Sequence, residues 1–551
     1  MNPPISSEPM GSNRTSAPYA SSTLEGGPDL PRGGSPGAGP NAAPHLVQGL
    51  GLFSATSIVI GSMIGSGIFI VAADIGRGVD SPALFIAAWL ITALMTIIGA
   101  LSYGELAAMM PRAGGQYVYL RESLGPLWGF LYGWTLFLVI QTGTIAAVAV
   151  AFGKFLGVFF PRVSASHWLW HIGHVPAWHV GPMVLGNMEI GLNTQNLVAV
   201  LILILLSTVN VFGVRTGAAV QNIFTVAKTA ALLGLLFFGF LLGRNAVAIA
   251  QNFGAGWHLF WRNAGLSSLH PVQVGVGGPI AMVGVFTILA VVQVGSLFSA
   301  DAWNNVTFTA GEVRNPRRNL PLSLALGTGL VLTIYILANF VYLAALPLAG
   351  DAHGGTVFAR GIQYASEDRV ATAVLQQIFH SYGAYLMAAA ILLSTFGCVN
   401  GMVLAGARVY YAMSRDGLFF KPAGELHPRW KTPVIAIVFQ AIWSCVLCLS
   451  GSYGQLLDYT MFAALVFYIL TIGGLFVLRV RRPDAERPYR AFGYPVLPAL
   501  YIVMAAWICI VLLRYKPQYT WPGLMIVLLG IPVYMLWSRG SRASEARVPE
   551  D

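Results

Sequence analysis

Apolar runs of about twenty residues alternate with short polar connections along most of the chain. They fall near 50–72, 82–103, 126–152, 196–213, 221–242, 279–313, 322–346, 371–399, 433–450, 456–479, 495–514 and 520–538. A helix rising ~1.5 Å per residue needs roughly 20 apolar residues to cross a bilayer core, so about twelve spanning helices are predicted. Two of these runs are interrupted in the middle.

The first interruption is Gly61-Ser62-Met63-Ile64-Gly65-Ser66-Gly67-Ile68-Phe69. Glycine is weak inside a helix, and freed backbone groups at membrane depth are tolerated only where they line a cavity or find protein partners. The stretch therefore predicts a helix broken near Gly65 to Gly67. The N–H groups of Ser66, Gly67 and Ile68 would then open the second half-helix, at its positive dipole end, as a site for a carboxylate. A second reading of the same glycines is a small-residue face for close helix packing, since Gly61 and Gly65 have the small-xxx-small spacing. The second interruption, Val294-Gly295-Ser296-Leu297-Phe298-Ser299-Ala300-Asp301-Ala302-Trp303-Asn304, lies about half a chain away and carries an acid. Paired broken spans are what an internally repeated carrier looks like.

Composition agrees with the pattern. The 551 residues are 56% hydrophobic and only 9% charged, where soluble domains carry ~25% charge. The net charge of +10 does not point to nucleic acid, because of where the cations sit. With alternating spans and a cytoplasmic N-terminus, about 21 Lys and Arg lie on the inner side and about 8 on the outer, the positive-inside distribution. Both termini are thus expected in the cytoplasm, in a multi-pass protein of the cell (plasma or inner) membrane.

Residues 1–46 are rich in Gly, Pro, Ser and Asn and read as a disordered cytoplasmic tail, with no cleavable signal before the first span. Residues 540–551 read as a second cytoplasmic tail. Two long outer loops, 160–195 and 244–278, hold His167, His171, His174, His179, His258 and His270; Trp168, Trp170 and Trp178 beside them favour an interfacial aromatic belt over a metal site. Cys398, Cys445, Cys448 and Cys509 all fall in apolar segments, and no metal or other cofactor is expected. The connection from Tyr103 to Gly125, holding Gly104-Glu105 and Pro111-Arg112-Ala113-Gly114-Gly115-Gln116-Tyr117, reads either as a structured gate or as an ordinary turn. Arg408, Arg415, Arg479, Arg481, Arg482 and Arg487 read as solvated anchors.

Asp301 and Lys228 are the informative charges inside spans, where an ionisable group is expensive and faces a cavity or a partner. Asp301 has three readings: counter-charge for a substrate ammonium, cap of a half-helix starting near Ala302, or proton carrier. Lys228 reads as a fixed positive charge donating to carbonyls of a broken helix, or as a lysine snorkelling from about two turns inside the span. Phe298 reads as a ring closing over a ligand or as packing, and Asn304 as a partner for freed backbone groups.

Together these stretches resemble a known family. Gly65-Ser66-Gly67-Ile68-Phe69, Pro111-Arg112-Ala113-Gly114-Gly115, Asn210-Val211-Phe212-Gly213-Val214, Phe224-Thr225 with Lys228, Trp303-Asn304, Asn315-Pro316-Arg317-Arg318-Asn319-Leu320-Pro321, Arg408-Val409-Tyr410-Tyr411-Ala412-Met413 with Arg415-Asp416-Gly417, and Arg487-Pro488-Tyr489 resemble the L-type amino acid transporters of the amino acid–polyamine–organocation superfamily. The resemblance implies an all-α integral membrane protein with a LeuT-like fold over 47–539. Two inverted five-helix repeats, about 48–243 and 279–480, would contain broken helices one and six, followed by two extra helices at 494–538. It implies that N–H groups of Ser66 and Gly67, around Gly65, hold a substrate α-carboxylate. Carbonyls of Met63, Ile64, Phe298 and Ser299 would hold the α-amino group. Phe298 would gate, and Lys228 would link spans one, five and eight in place of sodium. At span six the family's usual aromatic-Ala-Tyr-Asp/Gly-Gly-Trp-Asn is here Phe298 to Asn304 with Ala300 and Ala302, so side-chain specificity does not carry over.

The expected function is amino acid transport by sodium-independent exchange, with an amino acid and the lipid bilayer as partners. Proton-coupled uptake or a cationic amino acid or polyamine substrate is the alternative, and a non-transporting sensor is a further rival. An enzyme is not expected, since no catalytic constellation falls within the spans. The loop at 160–195 has no cysteine, so no disulfide-linked heavy chain is expected.

Overall fold

The computed structural model describes residues 46–545 apart from 177, 181–182, 186–187, 276–277 and 451–452. The expected tail 1–46, all but its last residue, and most of 540–551 lie outside the described residues or their described side chains.

The body is helical. Span one is α1 (Leu52–Met63) and α2 (Gly67–Val79); α3 (Pro82–Met109) is span two, and α4 (Gln116–Leu124) is a short helix in the connection after it. Span three is α5 (Pro126–Thr135), a π-helical turn at Leu136–Ile140, and α6 (Gln141–Leu156). After it come β1 (Trp168–Val175), β2 (Trp178–Val180), β3 (Met183–Leu185) and β4 (Met188–Asn193), then α7 (Thr194–Val211), α8 (Val214–Leu241), α9 (Ala246–Phe253), β5 (Leu269–Gln273) and β6 (Ile280–Gly284). Span six is α10 (Val285–Ser299) and the single turn α11 (Asn305–Phe308). The remainder is α12 (Pro316–Ala345), α13 (Val357–Arg360), α14 (Val370–Arg415), α15 (Val434–Ser450), α16 (Tyr453–Arg481), α17 (Val496–Tyr515) and α18 (Pro517–Glu545). Among the described residues ten helical segments are long and apolar enough to cross a membrane, and Val285–Ser299 and Val434–Leu449 are shorter apolar helices. These match the twelve expected spans.

Three corrections concern local structure. The two long loops are not featureless: β1 pairs antiparallel with β4 from Trp168↔Asn193 to Val175↔Met188, β2 with β3, and β5 with β6. Glu189 on β4 accepts from His171 (2.7 Å) and His174 (3.0 Å) of β1, and these hydrogen bonds hold its exposed carboxyl below the ordinary range. The span-eight helix starts where the apolar run does but runs on past it: α14 ends at Arg415, and it holds one non-helical residue, His380 (φ 53°, ψ −138°).

The arginines are the third correction. Arg408, on α14, is buried and grips the buried Glu312 with two bonds of 2.9 and 3.1 Å. Arg479 meets the buried Glu105 at 2.6 Å, and Arg487 lies 3.3 Å from the same carboxylate. Sequence position put these cations at helix ends, where solvation is the default; the acids that draw them inward come from elements far away in sequence. The pairs join the end of span six to span eight, and span two to span ten.

Candidate functional site

The break in span one is real and short: α1 ends at Met63, α2 starts at Gly67, and Ile64 (φ −75°, ψ 87°) leaves the helix. Its carbonyls would be orphans in an apolar surrounding, and neighbouring spans supply donors. Lys228 is buried on α8, about four turns beyond Val214. Its ammonium donates to Gly61 O at 2.5 Å, Ile64 O at 2.8 Å and Ser394 O at 3.3 Å. An ammonium has three hydrogens, and all three are used. Snorkelling is thereby excluded: α8 starts earlier than the apolar run, which moves Lys228 to mid-span and onto the face against α1 and α14.

The remaining carbonyls are covered as well. Ser394 Oγ donates to Ile64 O and Gly65 O, both at 3.0 Å, Cys398 Sγ donates to Ser62 O at 3.0 Å, and Tyr335 OH donates to Met63 O at 3.0 Å. Met63 and Ile64 therefore present carbonyls already engaged by Tyr335, Lys228 and Ser394. On α2, Tyr342 OH donates to Ile68 O at 3.2 Å.

The two breaks touch. A Cβ at Gly67 would overlap the Ser299 hydroxyl and lie 2.8 Å from the Ser299 Cα. Gly65 is similarly close to Cys398, 3.1 Å from a would-be Cβ to Sγ. Both readings of the glycines hold at once: they break the helix, and they admit its neighbours. Ser66 is buried at the start of α2, and Phe298 is buried at the end of α10, where its carbonyl accepts from the Asp301 N–H at 3.2 Å.

Span six breaks differently. The second half begins at Asn305, not near Ala302, and no side chain caps it. Asp301 therefore is not its cap; its carboxylate accepts from Tyr468 OH of α16 at 2.5 Å. Ala302 has φ 63°, the left-handed region that disfavours a Cβ, so the position that resembles a family glycine needs glycine-like backbone. Trp303 stacks on Tyr468 (centroids 5.5 Å) and meets the edge of Tyr103 (4.8 Å). Asn304 does not serve freed backbone groups with its amide: its Nδ2 donates to Gln116 Oε1 at 2.9 Å, and Gln116 Nε2 donates to Thr471 at 3.0 Å.

The Pro111 to Gly115 connection is a structured element. Gly114 (φ 105°) donates its N–H to Phe308 O at 3.0 Å, and Gly115 sits against Thr307. Next to it Tyr117 OH donates to Asp416 at 2.8 Å and Arg121 pairs with the same carboxylate. Glu122 is partly buried, which opposes its charge, but hydrogen bonds from Arg121 and Arg482 outweigh burial and hold its carboxyl below the ordinary range.

Asp301, Ala302, Asn304 and Asn305 line a narrow cavity of about 10 Å³, together with Gln116, Gln141, Thr144 and Tyr468. That is room for little more than one water. The π-helical turn Leu136–Ile140 forms part of its wall, and such turns recur at functional sites. Sequence reasoning missed Gln141, Thr144, Asn305 and Tyr468, and singled out Gln116 only as part of the stretch from Pro111 to Tyr117 that reads as a gate or a turn. The available signal was polarity inside apolar runs, as in Val139-Ile140-Gln141-Thr142-Gly143-Thr144. Among the described residues no group of His, Cys, Asp and Glu is arranged to hold a metal ion.

Such a fold, two touching helix breaks with a buried ammonium on one of them, is matched by comparison over most of the chain: residues 50–536 fit the model of the amino acid permease family. The chain belongs to this family. Human large neutral amino acids transporter small subunit 2 is 29% identical over 515 residues, covering 92% of this chain and 84% of that protein. Human b(0,+)-type amino acid transporter 1 is 28% identical over 498 residues, covering 89% and 88%. The serine/threonine exchanger SteT of Bacillus subtilis (strain 168) is 28% identical over 493 residues, covering 89% of this chain and 96% of its own. The permease assignment thus spans both breaks, Lys228 and the two C-terminal helices.

Proposed function

We propose that this permease exchanges amino acids across the cell membrane by alternating access, without sodium and without covalent chemistry. The observation that carries the reading is Lys228, whose ammonium donates to Gly61, Ile64 and Ser394. A fixed cation joins spans one, five and eight, so no dissociable ion is needed to hold the break together. The α-carboxylate binds the Ser66 and Gly67 N–H groups at the positive end of α2, and the α-amino group binds carbonyls of Phe298 and Ser299. Met63 O and Ile64 O each accept two hydrogen bonds already and would have to exchange one of these donors to join that amino site. Neutralising both charges of a zwitterion at two facing breaks removes most of the cost of bringing it to the membrane midplane. Phe298 closes over the ligand from one side. The Asn304–Gln116–Thr471 chain and the Pro111 to Gly115 element close the other.

The names of the three relatives agree with amino acid transport, and one of them is named an exchanger. In this reading spans one to five and six to ten are inverted repeats, both termini are cytoplasmic, and the transporter works without a disulfide-linked partner, consistent with the lack of cysteine in 160–195.

A second reading is favoured by Asp301. Its carboxylate lines the cavity beside the break and pairs with no cation among the described residues. An acid so placed suits a cationic amino acid or polyamine, or a proton passed to and from Tyr468-bound Asp301. Radiolabelled amino acid uptake into proteoliposomes separates the readings. Exchange requires unlabelled amino acid inside and is indifferent to a pH gradient. Uptake into empty vesicles driven by an inward proton gradient overturns it in favour of symport.

A further inference from the structure

A cavity of about 290 Å³ lies away from the two breaks, at the end of the helix bundle that carries the β-hairpins. Its walls come from α13, the 365–376 stretch that opens α14, and Val158 after α6. The lining is cationic: Arg360 and Arg369 both face it.

These cations are under-compensated. Arg360 donates its Nε to Gly354 O at 2.8 Å and pairs with no carboxylate among the described residues. Arg369 donates Nη2 to Lys154 O at 3.1 Å and rests over the Phe155 ring at 5.5 Å, but its Nε is buried with no partner. The acid beside it, Glu367, is 3.7 Å from Arg369, equally 3.7 Å from Lys154, and largely exposed. The other acid of this stretch, Asp368, is taken by Arg77 at 2.6 Å. One exposed carboxylate is thus shared by two cations, Arg369 and Lys154, and Arg360 has none. Burial lowers the pKa of the Arg369 guanidinium, which Glu367 only partly offsets.

A second, neutral donor points the same way. Thr372 is 7% exposed, its hydroxyl has no hydrogen-bond partner, and it lines the cavity from the first turn of α14. The opening turn of a helix adds unmatched N–H groups and the positive dipole end. Two guanidiniums, a buried hydroxyl and a helix start are the donors an oxyanion requires.

We propose that this cavity binds a small oxyanion, a carboxylate or inorganic phosphate, entering from the hairpin side. The stretch that forms it also clamps α2: Gln363 Nε2 donates to Gly76 O at 3.2 Å and to Asp80 at 3.0 Å, and Arg77 donates to Gln363 O at 2.7 Å. An anion seated here holds the segment closed over one half of the candidate transport site. The carboxylate arrives either on an incoming amino acid, which rests on the transport reading above, or as a free anion, which does not.

Thermal unfolding of the purified full-length protein, titrated with sodium acetate and with sodium phosphate against sodium chloride at equal ionic strength, tests the site. Wild type shows a saturable rise in unfolding temperature with both. In Arg360→Gln/Arg369→Gln and in the near-isosteric Thr372→Val the midpoint moves about tenfold or more, the worth of one charge-assisted hydrogen bond. Arg369→Lys, which keeps the charge, moves it less. Equal titrations in wild type and all variants, or no saturable rise in wild type, overturn the proposal. Exchange in proteoliposomes then separates the sources. A higher KM for external amino acid at unchanged maximal rate in the double Gln variant assigns the site to the incoming α-carboxylate. Unchanged KM with loss of phosphate dependence assigns it to the inorganic anion. Absence of exchange in wild type would sink the functional reading and leave the acetate titration standing.

Discussion

The two helix breaks solve one problem in opposite ways. Span one breaks at glycines, and every carbonyl it frees from Gly61 to Gly65 is met by a donor from another span: Lys228, Cys398, Tyr335 and Ser394. Span six breaks at Ala302, a residue held in the left-handed region, and its polar groups pair side chain to side chain, Asp301 with Tyr468 and Asn304 with Gln116. The first break is fixed by an ammonium, the second by neutral partners: Tyr468 of α16 donates to Asp301, and Gln116 of α4 accepts from Asn304. A break pinned through five backbone carbonyls has one geometry, whereas one pinned through two side-chain pairs has fewer constraints. In the proposed transport cycle span one is then the fixed half of the site and span six the movable half.

The largest expected effect tests the fixed half. Lys228→Ala leaves three buried carbonyls without their charged donor, each worth about 1.5–3 kcal/mol. Transport per folded molecule, measured on the monodisperse fraction, falls by about 100-fold or more. Wild-type rates in a well-folded variant would dissolve the contrast between the breaks. Gly67→Val comes next: the side chain collides with Ser299, so the breaks separate and binding of any amino acid, read by calorimetry, is lost. Unchanged affinity would place the site elsewhere.

The movable half gives smaller effects. Glu312→Gln strands Arg408 in a buried position, where breaking an ion pair costs about 3–5 kcal/mol, so the unfolding temperature falls and the end of span six loosens. An unchanged unfolding temperature would show the pair to be dispensable. Ala302→Gly relieves a left-handed alanine, worth about 1 kcal/mol, and the expected result is modest stabilisation. Destabilisation would mean that the methyl group packs favourably enough to offset its backbone strain.

What was legible in the chain follows from the range of the physics. Apolar period and glycine clustering are local, so the spans and both breaks could be read directly, whereas the contact of Lys228 with a break 164 residues away was implied only by the family resemblance. The role of Asp301 could not, because its partner Tyr468 is 167 residues away and the half-helix it was expected to cap starts three residues later. Arg408 and Arg479 failed for the same reason: a cation near a helix end reads as solvated unless Glu312 or Glu105 is known to lie against it. The hairpins of 168–193 were hidden because tryptophan, histidine and valine suit a membrane interface and a strand equally well.

The central claim is that the Lys228 ammonium replaces a dissociable ion. Counterflow of labelled amino acid into proteoliposomes loaded with unlabelled amino acid, in sodium and then with choline replacing sodium on both sides, tests it most directly. Equal rates in the two media, each vanishing in empty vesicles, are the predicted result. A rate that collapses in choline would show that the transporter needs sodium, and that Lys228 does not occupy its place.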